Sequence, residues 1–152
     1  MNNEVYKLIN EAYFKEKKTK RFLSVLKPVL EDLDIGRAKI SMVVETNHLN
    51  LHDIVHGGVL ASLADLTMGI ACISCMKKVV TTDMSISYIG NVSVGEKISA
   101  LAKVVQNGKR MMCTNCEIYD ERGKILVQAI ASFYVLDDLK EEDIKKLVEE
   151  NE

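Results

Sequence analysis

The sequence lacks an excess of charge of either sign, and this narrows the partners it can bind. Twenty Lys and Arg residues against 22 Asp and Glu residues leave a formal net charge of −2 over 152 residues. Such a chain has no positive field to attract a phosphate backbone, so we expect no nucleic-acid partner. Stretches rich in Pro, Ser or Gln and internal repeats are missing too. We therefore expect one folded domain, residues 1–152, around a single core.

The N-terminus lacks the basic and apolar stretches of a secretory signal, so we expect a cytoplasmic protein. The most apolar run, residues 59–76, is long enough to raise the question of a membrane span. It contains Asp65, and a carboxylate within a membrane helix costs about 2.5 to 3.5 kcal/mol on insertion scales. Because alternating segments follow this run, we interpret it as a helix enclosed by protein and expect no membrane partner.

Hydrophobic periodicity predicts an α+β fold around that helix. Apolar residues alternate with period two in one segment before the helix and in three or four after it, namely 37–45, 79–89, 97–106, a strand after Asn107-Gly108, and 124–136. Asn107-Gly108 predicts a two-residue hairpin turn, and residues 120–123 predict the next one. A helix that is apolar on nearly all sides must be enclosed, and a curved antiparallel sheet wrapped around it meets that need.

Helical spacing also predicts elements at both ends of the chain. Residues 4–14 and 20–26 are expected to form short covering helices, and 137–152 an acidic amphipathic helix. The apolar side of the last helix is expected to hold Ile144, Leu147 and Val148.

The few residues of the central helix that are not apolar share one face. Gly58, Ser62, Asp65 and Gly69 follow one another at spacings of four, three and four. This stripe would let another chain or a ligand approach closely, and it carries the charge of the helix. Asp65 is then either a structural carboxylate satisfied by a neighbour or a general base or nucleophile in a cleft.

The start of the helix supplies a second candidate feature of a site, namely free backbone N–H donors. Backbone N–H groups of a first helical turn have no acceptor within the helix, and the helix dipole places partial positive charge there. Gly57 and Gly58 would expose these donors to a carbonyl oxygen, and an oxyanion would bind them more tightly than the ground state. The alternative is that two glycines merely form a tight turn into the helix.

Together these residues resemble the PaaI-type hotdog thioesterases. Asn50 is followed six residues later by His56-Gly57-Gly58 and then by Leu63-Ala64-Asp65, and the similarity runs from about Pro28 to Leu136. The resemblance implies a hotdog core at 28–136, with a helical cover at 1–27 and a helix at 137–152. It also implies a homodimer with two active sites at the subunit interface, often paired again into a homotetramer.

The resemblance also implies roles for the residues of this motif. Asp65 would face the Gly57 amide of the other subunit, which donates to the thioester carbonyl. Asn50 would hold the attacking water or the thioester, and His56 would orient the loop. Gly58 and Ser62 on the stripe are further candidates for substrate binding.

Two more positions follow from the same resemblance. Thr81 occupies a place where the family has Ser or Thr, two residues before Asp-Met, and its hydroxyl would help to position water. An ordinary strand threonine is the alternative. The family commonly has Gly three residues after the Asn, whereas this chain has Asp53. An additional carboxylate there would reshape the acyl pocket or repel acidic substrates.

Two cysteine pairs, Cys72 with Cys75 and Cys113 with Cys116, have a spacing seen in zinc sites. The first pair lies in the apolar helix, and residues three apart in a strand point to opposite faces. We therefore interpret all four as small buried residues and expect neither a metal nor disulfides.

Other polar clusters have ordinary structural explanations. His48, His52 and His56 would align on a helix, but this segment is expected to be a loop, so we predict no metal site there. Lys77-Lys78 and Lys109-Arg110 are typical of solvated surface charge. Either cluster would also suit the phosphates of coenzyme A, and Lys109 and Arg110 are our candidates.

The leading hypothesis is an acyl-CoA thioesterase without a cofactor, since coenzyme A is part of the substrate. The alternatives are an acyl-CoA-sensing hotdog protein that does not hydrolyse its ligand, and an enoyl-CoA hydratase or dehydratase that uses His56 with Asp65. Aromatic residues make up only 5% of the chain, which gives no clear stacking platform for an aryl group. Aliphatic and aryl acyl groups both stay open.

Overall fold

The computed structural model describes residues 3–15 and 22–149. The helices and strands of this part of the chain are, in order, α1 Asn3–Phe14, α2 Leu23–Leu26, β1 Val29–Asp34, β2 Arg37–Val43, α3 Gly57–Ile73, β3 Lys77–Tyr88, β4 Lys97–Asn107, β5 Met111–Asp120, β6 Ile125–Asp138 and α4 Glu141–Glu149. A short 3-10 turn, Thr46–His48, lies between β2 and α3. The α+β class is as predicted.

The strands form one antiparallel sheet in the order β1-β2-β4-β5-β6-β3. Four strands follow α3, which is the upper number predicted, but two precede it where one was predicted. The missed strand is β1, which pairs with β2 at the edge of the sheet. The other edge is β3, which pairs with β6 on one side and has no strand partner on its other side within the described residues.

Helix α3 packs against one face of this sheet. Its apolar majority is buried, with Leu63, Ala64 and Met68 fully enclosed. The sheet meets it with alternating inward residues such as Ile40 and Met42 of β2, in the register that the sequence predicts. Burial of a large apolar side chain contributes about 2 kcal/mol relative to exposure, so this face anchors the helix firmly.

The helix is shorter than predicted: it ends at Ile73, whereas the predicted end was at about Met76. The Ser74 hydroxyl donates to the Ala71 carbonyl at 2.7 Å and accepts the Gly36 N–H at 2.8 Å. These bonds join the end of α3 to the β1–β2 turn. No helix in the described residues is long and apolar enough to cross a membrane.

The β4–β5 hairpin differs from its prediction in one detail. The N–H of Gly108 donates to the Met111 carbonyl at 3.1 Å, so the two residues at the tip are Lys109 and Arg110 instead of Asn107 and Gly108. The β5–β6 turn forms where it was predicted, and Gly123 adopts a φ of 80° there.

A bulge in β3 decides which of its side chains face α3. Thr81 pairs with Phe133 and Asp83 pairs with Ser132, so Thr82 has no cross-strand partner. Side chains alternate along a strand, and one additional residue reverses the alternation. Thr81 and Tyr88, seven residues apart, therefore both lie on the helix side of the sheet.

The terminal helices pack on each other beside the sheet. Val5 and Ile9 of α1 and Ile144 of α4 are buried. Leu147 and Val148 pack against the same core as partly buried residues, which agrees with the predicted apolar side of α4. Residues 20 and 21 of the predicted second helix, and 150–152 of the last one, lie outside the described residues.

Candidate active site

His56 caps the start of α3 with its own side chain. The Gly58 N–H donates to His56 Nδ1 at 2.8 Å, so this nitrogen carries no proton. The expectation that both glycine amides are exposed is therefore wrong for Gly58, whose amide is occupied. In the described chain the Gly57 N–H has no acceptor. A single backbone donor is thus available at the positive end of the helix dipole.

Asp65 and Thr81 are in direct contact, which the sequence did not predict. The Thr81 hydroxyl, on the edge strand β3, donates to Asp65 Oδ1 at 2.7 Å. Asp65 is partly exposed on the helix stripe, and the described residues provide no partner for its Oδ2. One carboxylate oxygen is therefore held in place, while the other has no hydrogen-bond partner among the described residues.

Ser62 lies one turn before Asp65 on the same stripe. Its hydroxyl donates to the Gly58 carbonyl at 2.7 Å, one helical turn back. The proton is therefore engaged locally, and only the oxygen lone pairs of Ser62 are open to a ligand.

Asn50 holds a tight loop in front of the helix. Its Oδ1 accepts the N–H of His52 at 2.8 Å and that of Ile54 at 3.4 Å, while its own N–H donates to the Ile54 carbonyl at 2.8 Å. Its Nδ2 has no acceptor in the part of the chain that the structure describes. A role for Asn50 toward water or a thioester thus falls to the amide nitrogen.

Asp53 occupies the left-handed backbone region in this loop, with a φ of 58°. Glycine adopts this region without cost, while Asp is among the few other residue types that tolerate it. Asp53 therefore holds a backbone conformation that suits glycine, and it adds a carboxylate to the loop.

Tyr88 is a neighbour of the site that the sequence analysis did not single out. Its hydroxyl donates to the Gly57 carbonyl at 3.1 Å. Two atoms of its ring, Cε1 and Cζ, lie 3.3 Å from the place that a Cβ on Gly57 would occupy. The alternation of Met84, Ile86 and Tyr88 along β3 indicates that Tyr88 shares the apolar face of the strand, but it does not indicate the contact with Gly57.

Other candidate residues lie apart from the helix start. Gly57 and Asp65 are eight residues apart on α3, about 12 Å by helical rise. Lys109 and Arg110 are exposed at the opposite end, where the Arg110 carbonyl accepts the Val135 N–H beside the end of the helix. One chain therefore does not bring these groups to a single carbonyl.

The buried His48 and two of the cysteines are structural. His48 Nδ1 accepts the Glu45 N–H at 2.9 Å and its Nε2 lies 2.5 Å from the Val25 carbonyl. Burial raises the pKa of both the Cys72 and the Cys116 thiols to about 12, so both stay protonated and unreactive near neutral pH. Among residues 3–15 and 22–149, no three His, Cys, Asp or Glu side chains are grouped to hold a metal ion.

Comparison with solved structures identifies the class of fold. The Escherichia coli PaaI protein of the phenylacetic acid degradation operon superposes with a TM-score of 0.81 at 24% identity, covering 90% of this chain and 96% of that one. A thioesterase protein of Streptococcus pneumoniae, solved with coenzyme A, gives a TM-score of 0.73 at 22% identity, covering 74% and 91%. The helix and its sheet form a hotdog fold, as predicted.

Comparison of sequences identifies the family. The thioesterase superfamily profile matches residues 52–127. Human acyl-coenzyme A thioesterase 13 is 32% identical over 96 residues, which are 61% of this chain and 69% of that protein. Escherichia coli acyl-coenzyme A thioesterase PaaI is 33% identical over 92 residues, 60% and 66% of the two chains. The chain belongs to the thioesterase superfamily, and its predicted resemblance to the PaaI-type thioesterases is confirmed.

Proposed function

We propose that this protein hydrolyses acyl-CoA thioesters to a free acid and coenzyme A. One observation carries the proposal: the Thr81 hydroxyl fixes one oxygen of Asp65 at 2.7 Å, while the other oxygen of this partly exposed side chain has no partner among the described residues. A carboxylate held in this way suits proton abstraction from water. Family membership and the names of the acyl-CoA thioesterase relatives support the same reaction.

Asp65 acts as the general base in the proposed reaction. Its Oδ2 takes a proton from a water molecule, whose oxygen attacks the thioester carbonyl carbon. The tetrahedral oxyanion then collapses, the carbon–sulfur bond breaks, and the thiolate of coenzyme A leaves and is protonated. The Thr81 hydroxyl keeps Asp65 in the orientation that this transfer needs.

The oxyanion is bound by the Gly57 amide of the partner subunit in a homodimer. The unpaired edge of β3 supports this arrangement, because a second copy can extend the sheet there. If two β3 strands pair antiparallel about Ser85 and Thr82 is again the additional residue, Thr81 of one lies opposite Tyr88 of the partner subunit. Because Thr81 touches Asp65 and Tyr88 touches Gly57, this pairing brings a base and an oxyanion donor together.

The remaining candidates assist these two groups. His56 caps the helix and so keeps the Gly58 amide from competing for the carbonyl oxygen. Asn50 presents its Nδ2 to the water or to the thioester, and Ser62 borders the same stripe. We assign Lys109 and Arg110 to the phosphates of coenzyme A, and the reaction uses no cofactor.

Replacement of Asp65 tests the proposal. Asp65→Asn keeps the shape and the Thr81 contact but removes the base, so the release of thiol from a panel of acyl-CoA substrates should fall at least about 100-fold. Asp32→Asn, on exposed β1, is the matched control and should keep wild-type turnover. Circular dichroism should show that both variants fold. Wild-type turnover by Asp65→Asn would contradict the proposal, as would binding of acyl-CoA by the wild type without any thiol release.

Single turnover in ¹⁸O-labelled water separates the two carboxylate mechanisms. A general base transfers the label only to the product acid. A nucleophile would form an anhydride with Asp65, and water that attacks the aspartyl carbonyl of this anhydride would leave the label in that side chain. Mass spectrometry of the peptide that contains Asp65 should find no label.

A further inference from the structure

Tyr88 makes two independent contacts with the residue that supplies the proposed oxyanion donor. Its hydroxyl donates to the Gly57 carbonyl at 3.1 Å. Its ring fills the space beside the Gly57 α-carbon, since a Cβ there would lie 3.3 Å from two ring atoms. No other glycine in the described chain has a tyrosine ring in this position. The two contacts constrain a residue that has no side chain of its own to limit its rotation.

The peptide group between Gly57 and Gly58 is therefore held at both of its ends. At the amide end, the Gly58 N–H donates to His56 Nδ1 at 2.8 Å. At the carbonyl end, the oxygen accepts from Tyr88. The preceding peptide is fixed separately, because the His56 carbonyl accepts the Val59 N–H at 2.9 Å. With both flanking peptides restrained, the Gly57 N–H points in one direction.

We propose that Tyr88 is a positioning residue that fixes the direction of the Gly57 N–H toward the developing oxyanion. This inference rests on the proposed thioester hydrolysis. A donor that is already oriented needs no reorganisation when charge develops, so the benefit appears in the transition state more than in substrate binding. Because Tyr88 acts through the backbone, it changes the chemical step without touching the reacting atoms.

Tyr88→Phe is the informative substitution because it keeps the ring and removes only the hydroxyl. Loss of a complete oxyanion donor costs about 100- to 1,000-fold in kcat, so loosening one should lower kcat by about tenfold. KM should change by less than about threefold, because substrate binding relies on other contacts. Tyr134→Phe, on the outer face of β6 and equally half-exposed, is the control and should leave both constants unchanged.

A readout that needs no activity separates this inference from the proposed function. The chain has eight glycines, so ¹⁵N-glycine labelling gives a simple amide spectrum. In Tyr88→Phe the Gly57 and Gly58 signals should shift and show exchange on the microsecond to millisecond scale, while the other six stay in place. Tyr134→Phe should reproduce the wild-type spectrum.

The kinetic constants and the glycine spectra together decide whether Tyr88 positions the Gly57 N–H. A mobile Gly57 amide together with a loss confined to kcat supports the positioning role. Unchanged glycine signals overturn it, whatever the kinetics show. A change mainly in KM also overturns it, because Tyr88 would then serve substrate binding. If the wild type hydrolyses no acyl-CoA, the proposed function fails, and the glycine spectra alone decide whether Tyr88 orients Gly57.

Discussion

The two ends of helix α3 differ in how their polar groups are satisfied. At the C-terminal end, buried Ser74 bonds to both the Gly36 N–H and the Ala71 carbonyl. At the N-terminal end, His56 occupies the Gly58 amide but the Gly57 amide has no acceptor in the described chain. The helix is therefore closed by its own sheet at one end and is open to a ligand at the other.

The C-terminal end of α3 therefore serves stability, and its N-terminal end serves chemistry. Buried polar side chains of the described residues all have hydrogen-bond partners, so the closed end follows the rule for a folded interior. A donor without a partner costs little while it faces solvent, and it gains most when an oxyanion arrives. Substitutions at the open end should therefore affect turnover, and those at the closed end should affect unfolding.

At the two ends of α3, the largest effect is expected from Gly57→Pro. Proline is tolerated at the first position of a helix and lacks an N–H, so it removes the donor while the helix start is kept. Gly57→Ala adds the same Cβ beside Tyr88 but keeps the donor, which makes it the matched control. We expect kcat of the proline variant to be about 100-fold below that of the alanine variant. Equal kcat values would show that the Gly57 amide takes no part.

Subunit mixing extends this test to the interface. In a mixed dimer, one subunit carries Asp65→Asn and the other carries Gly57→Pro. One of its two shared sites then combines an intact Asp65 with an intact Gly57. Random exchange should therefore restore about a quarter of wild-type activity from two inactive parents. If each site lay within one chain, no intact site would form and the mixture would stay inactive.

A smaller effect, on stability alone, is expected from Ser74→Ala. The buried Gly36 N–H then loses its acceptor, which should lower the free energy of unfolding by about 2 kcal/mol. Urea denaturation measures this loss, and kcat/KM should remain within about twofold of wild type. Ser93→Ala, in the exposed loop before β4, should change neither quantity. A large loss of activity in Ser74→Ala would remove the distinction between the two ends.

The Cys72 thiol, in the last turn of α3, is expected to affect stability only at alkaline pH. Burial raises its pKa to about 12 from an ordinary value near 9. The folded state thus holds the proton more tightly, so the stabilisation is full below about pH 9 and is lost as the pH rises toward 12. The unfolding free energy of the wild type should fall more steeply across this range than that of Cys72→Ala. Cys113→Ala controls for the loss of a thiol, and identical slopes in all three proteins would contradict the prediction.

Much of the fold could be predicted because its elements have regular periods. The alternation of Ala38, Ile40 and Met42 predicts β2, and the buried run of α3 predicts the central helix. Strand β1 could not be predicted in this way. Its buried residues are Leu30 and Leu33, three apart, because a bulge interrupts its pairing with β2. A period-two search does not find such a strand.

The motif proposes residues for the candidate site, but it does not predict the hydrogen bonds among them. The motif indicates Asn50, His56 and Asp65, and the structure places Thr81 on Asp65. Which amide stays open depends on the rotation of the His56 ring onto Gly58, and a sequence pattern does not contain that rotation. The contacts that a partner subunit would make are likewise not specified by the pattern of one chain.

The bulge at Thr82 also limits how β3 can change in length. Removal of that one residue would return the strand to plain alternation and turn Tyr88 to the outer surface, away from Gly57. Insertion of one residue between Asp83 and Tyr88 would do the same. The segment from Thr81 to Tyr88 therefore tolerates exchange of side chains far better than any gain or loss of a residue, and homologous strands that differ here by one position would need a different partner for the helix start.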